Sequence, residues 1–86
     1  MKIVITRKHV EEGTKHSSSN NPVALALQEK FNDKSITVSE LSIWIDDNTY
    51  DVQEEIEEYL GRLNAGIPIG PTTFGLMLEK QWKPSP

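Results

Sequence analysis

Asn21-Pro22-Val23-Ala24-Leu25-Ala26-Leu27 constrains the fold of this chain more than any other stretch. Asn21 is a good helix N-cap, because its side chain can accept a hydrogen bond from an otherwise unpaired amide of the first turn. Pro22 then falls at the first helical position, where its fixed φ fits and its missing N–H removes nothing. Val23 to Leu27 carries no side-chain polar atom, so it is expected to be the most deeply buried turn and a half of the protein. Val23, Leu25 and Leu27 also alternate as a strand would, and periodicity alone does not decide. The cap, the proline and the amphipathic continuation Gln28-Glu29-Lys30-Phe31 decide for a central helix ending near Asn32-Asp33.

The remaining elements arrange themselves around that helix. Lys2-Ile3-Val4-Ile5-Thr6 is a β-branched run and reads as a first strand. Thr6 can cap a short helix from Arg7 to Glu12, closed by Gly13 as a left-handed C-terminal glycine. Arg7 and Lys8 then oppose the helix dipole at one end, and Glu11 and Glu12 at the other. A polar loop, Thr14 to Asn20, leads into the central helix. Ser35 to Val38 and Leu41 to Ile45 form a predicted hairpin across Ser39-Glu40, and Asp46-Asp47-Asn48 ends it in a turn. From Asp51 to Asn64, Val52, Ile56, Tyr59, Leu60 and Leu63 make a full apolar helical stripe. Asp51 with Glu54 gives a capping-box-like start, and Glu58 can pair with Arg62 one turn on. Gly66 stops that helix, and Ile67-Pro68-Ile69-Gly70-Pro71 reads as an ordered connector. Thr72 to Glu79 alternates as a last strand, followed by a tail tied down through Trp82, with 83–86 flexible.

The order β(α)αββαβ predicts an α+β fold: a small two-layer sandwich of two main helices on a four-stranded, mainly antiparallel sheet. A ferredoxin-like arrangement is the obvious closure, and other sheet orders are compatible. Eighty-six residues make a single domain with one modest core. There is no run of the ~20 apolar residues that a membrane span requires, and no signal-peptide pattern at the N-terminus. With no cysteine, disulfides and thiolate chemistry are excluded, and the cytoplasm is the expected compartment.

Charge is unevenly distributed. The net charge is −4, yet residues 29–60 alone carry −8, flanked by segments of +2 on either side. An acidic middle repels phosphate backbones and disfavours nucleic-acid binding. Trp44 and Phe74, the aromatics an RNA-binding sheet would need, lie in apolar strands and read as core. Catalysis has little to rest on: His16 beside Ser17, Ser18 and Ser19 offers a base and hydroxyls, but in a loop with nothing to orient them. Asp46, Asn48 and Glu57 imitate part of a calcium loop, which Tyr50 and Asp51 break. No enzyme activity, cofactor or metal is therefore expected.

Two binding readings remain. Glu54, Glu55, Glu57 and Glu58 crowd one helix face, which is ordinarily a solvated surface. The same face suits a protein partner with a basic surface, with Trp82 as an aromatic anchor. Alternatively, Lys15, His16, Ser17, Ser18, Ser19, Asn20 and Asn21 surround the start of the central helix, where backbone amides favour a phosphate-bearing ligand such as a nucleotide.

The Ile5-Thr6 strand end, the His9-Val10-Glu11-Glu12-Gly13 turn and Pro22-Val23-Ala24-Leu25-Ala26-Leu27 resemble a family of small uncharacterised proteins of bacteriophages and their hosts. The segment from Asn64 to Leu76, with its proline-containing apolar connector and Phe-containing strand, is similar to the end of the same family. The resemblance implies no established activity. It implies a context: small phage or mobile-element proteins, many of which bind and inhibit a host protein, including defence systems such as CRISPR-Cas.

Overall fold

The computed structural model describes residues 2–76. The predicted extension of the last strand to Glu79, the Trp82 anchor and the 83–86 tail lie outside the described residues. The order is β1 (Lys2–Ile5), α1 (Arg7–Glu12), α2 (Pro22–Lys30), β2 (Ile36–Val38), β3 (Ser42–Ile45), β4 (Asn48–Asp51), α3 (Glu54–Asn64) and β5 (Thr72–Gly75).

The start of α2 is built as its residues dictate. Asn21 Oδ1 accepts the Ala24 amide at 2.8 Å, and Pro22 opens the helix. Val23, Ala24, Ala26 and Leu27 are buried, so α2 hides most of its circumference rather than one stripe. It packs on β1 along one side and on β2 along another, and so lies between two sheets.

The expected single four-stranded sheet is not what forms. β1 pairs with β5 in one antiparallel ladder, Ile3 opposite Phe74, and β2-β3-β4 make a separate antiparallel meander. A ferredoxin-like sheet would join these pairings through a ladder between β1 and β3, and none exists among the described residues. The fifth strand, β4, occupies residues read as turn and helix start. Asn48-Thr49-Tyr50-Asp51 shows no apolar alternation, yet a two-residue turn at Asp46-Asp47 folds it back on β3. Asp46 adopts φ 52°, a left-handed conformation that aspartate tolerates, and its carboxylate accepts the Ser35 amide. Helix α3 consequently begins at Glu54, capped by Gln53 without a side-chain bond, not by the Asp51–Glu54 box. Glu58 and Arg62 form no ion pair; among the described residues the pairs are His9–Glu29 and Lys34–Asp46.

Two residues take unexpected places. Trp44 is 44% exposed, because Ile43 and Ile45 point inward and strand alternation turns the residue between them out. Gly13 is not left-handed: its φ is −68°, and its need for glycine comes from packing, since a Cβ there would lie 2.6 Å from the Pro22 ring. Gly66, by contrast, stops α3 at φ 78° as expected.

The core gathers Ile3 and Ile5 from β1, Val23 and Leu27 from α2, Ile36, Val38, Ile43 and Ile45 from the meander, Ile56 and Leu60 from α3, and Phe74 and Leu76. No helix among the described residues is long and apolar enough to cross a membrane.

Candidate functional site

The acidic site is assembled from two elements distant in sequence. Helix α3 places Glu54, Glu55 and Glu57 in its first turn, where the positive end of the helix dipole favours carboxylates, and Glu58 follows one residue later. Across from it stands the β2–β3 turn. Ser39 shapes that turn, its Oγ accepting the Leu41 and Ser42 amides, which holds Glu40 at the tip. Glu40 reaches over α3 at Gly61: a Cβ at that glycine would lie 3.0 Å from Glu40 Oε1. The absence of a side chain at Gly61 therefore leaves room for the carboxylate.

Glu40, Glu54, Glu57 and Glu58, together with Val52, line an open cleft of about 630 Å³. Four carboxylates share it, and among the described residues no lysine or arginine lines it. Glu55 belongs to the same exposed helix surface but does not line the cleft. Glu40 escaped sequence reasoning, since nothing local distinguishes a glutamate at a hairpin tip; only the docking of the turn on α3 brings it in. The glutamates do not converge as ligands: no group of three or more His, Asp or Glu among the described residues is placed to hold a metal ion. Asp46 and Asn48 belong to the β3–β4 hairpin, away from any calcium-loop geometry.

The start of α2 is differently built. Asn21 is buried, and besides capping Ala24 it donates through Nδ2 to Ser17 O at 2.9 Å and Val38 O at 2.8 Å. Val23 and Ala24, whose amides would meet an anion, are fully buried. The preceding loop is stitched down: Ser18 O accepts the Val38 amide, Ser19 O accepts Gln28 Nε2, and the His16 amide donates to Asn64 Oδ1. His16, Ser17, Ser18 and Asn21 border a cavity of about 260 Å³ that also receives Glu40 and Asn64, whereas Lys15, Ser19 and Asn20 do not line it. A phosphate placed there would face the Glu40 carboxylate, and among the described residues no lysine lines the same cavity.

The His9 ring serves the backbone. Thr6 Oγ1 accepts the His9 amide while His9 Nδ1 accepts the Thr6 amide, a capping box with histidine in the place usually held by glutamate. The signal Thr6-Arg7-Lys8-His9 was present in the sequence. No family model matches this chain, and neither a curated protein nor a solved structure matches it.

Proposed function

We propose that this protein is a non-enzymatic interaction protein of phage or mobile-element type, which binds a host protein through its acidic surface and inhibits it. The observation that carries this reading is the cleft lined by Glu40, Glu54, Glu57 and Glu58, with no lysine or arginine among the described residues that line it. Gathering like charge in one concavity works against folding, modestly where water screens it, and raises the attraction for a basic surface. Phosphate backbones are repelled by the same carboxylates, so a basic protein is the partner chemistry that fits. The alternative, a phosphate or nucleotide binder at the start of α2, is the weaker reading, because the amides it needs are buried and the adjoining cavity holds a glutamate.

Capture from nuclease-treated bacterial lysate tests the reading. The tagged protein should retain a stoichiometric protein that elutes with salt, and Glu57→Lys with Glu58→Lys should abolish that capture. Equal capture by the reversed variant would remove the cleft from the interaction.

A further inference from the structure

We infer that the outer face of the β2-β3-β4 sheet is a docking surface for a cationic protein segment, with Trp44 as the platform for an arginine or lysine side chain. The inference rests on the reading that the partner is basic, but places a contact outside the glutamate cleft. Ile36, Val38, Ile43 and Ile45 point to the core, so the alternate positions form the opposite face. Register sets Thr37 and Thr49 on either side of Trp44, and Asp51 opposite Ser42. Asp51 is thus a diagonal neighbour of Trp44, about 7–8 Å away across the strands by sheet geometry. Asp47, also exposed, closes the hairpin at the other end.

The flanking threonines are short and β-branched. They account for an aromatic at this position as a cross-strand partner, yet leave the indole 44% exposed. No ring or cation stacks on it among the described residues. None of the face positions is a lysine or arginine, and the nearby Lys34 is directed to Asp46, 3.5 Å away. An uncovered indole attracts a cation to its negative face, and Asp51 and Asp47 stand ready for neighbouring charges. An apolar partner would instead bury those carboxylates unpaired. A second copy would bring identical carboxylates together, and nucleic acid would meet them with its phosphates. A cationic segment is the occupant that satisfies both the ring and its acidic neighbours.

The probe is a labelled arginine nonapeptide titrated into the full-length protein at low salt, read by anisotropy. Trp44→Thr should weaken binding by about tenfold, and Trp44→Phe by less, as the ring but not its size is retained. In a Trp82→Phe background, which leaves Trp44 as the sole tryptophan, the emission should change saturably with the peptide. Unchanged emission at saturating peptide would overturn the sheet-face contact, and this readout stands even if the threonine variant does not fold. Equal affinity of Trp44→Thr and the unaltered protein, with binding still lost on reversing Glu57 and Glu58, would overturn it too while sparing the cleft. No saturable binding by the unaltered protein would overturn both.

Discussion

Each nitrogen of the buried His9 ring has one partner: Nδ1 accepts the Thr6 amide at 3.0 Å, so Nε2 carries the proton and meets Glu29 Oε1, also at 3.0 Å. The turn that follows leaves no room at Gly13, where an added Cβ would strike the Pro22 ring and come within 2.9 Å of His9 O. Gly13→Ala should therefore destabilise by about 1–3 kcal/mol in chemical denaturation, an overpacking effect. Tyr59 gives a second residue-scale expectation. Its hydroxyl donates to Gly70 O at 2.9 Å, its ring meets Phe74 edge-on with centroids 5.3 Å apart, and burial raises its pKa above the ordinary 10.0. With the folded-state value above the unfolded one, the contribution is fully present below pH 10 and is lost as pH rises through the raised value. Melting temperature should accordingly fall above pH 10 in the unaltered protein and less steeply in Tyr59→Phe.

At the scale of elements, α2 stands on the three hydrogen bonds of Asn21. Asn21→Ala strips partners from the Ala24 amide and the Val38 carbonyl, and should cost about 2–4 kcal/mol. Asn21→Asp makes the sharper comparison in the same unfolding experiment. Aspartate caps helices as well as asparagine in general, but here it would aim a buried carboxylate at two carbonyl oxygens, so it should be at least as damaging at pH 7. This helix was legible in the sequence because cap, proline and apolar run act locally, as were β1, the β2–β3 hairpin and the α3 stripe. Strand β4 was not, since Asn48-Thr49-Tyr50-Asp51 takes its form from pairing with β3 and not from its own pattern. The helical glutamates of the cleft were likewise legible. Glu40 was not, because its role comes from the placement of a turn over Gly61.

For the whole molecule, α2 set between a two-stranded and a three-stranded sheet explains why a single sheet could not be assembled from strand order alone. Strand order fixes neighbours along the chain, whereas a helix buried around most of its first two turns needs cover from more than one side. The fold brings Glu40 to the glutamates of α3 in one cleft, and strand pairing sets Asp51 diagonally from an exposed indole. On the proposed reading both surfaces face a positively charged partner, and long-range attraction should show in the rate of encounter before it shows elsewhere. The most direct measurement is the association rate of the purified protein with the partner it captures, followed by stopped flow between about 20 and 500 mM salt. The rate should fall steeply with salt, and Glu57→Gln with Glu58→Gln should slow low-salt association about tenfold while flattening that dependence. Identical rates and salt slopes for the two proteins would contradict a function exercised through the acidic cleft.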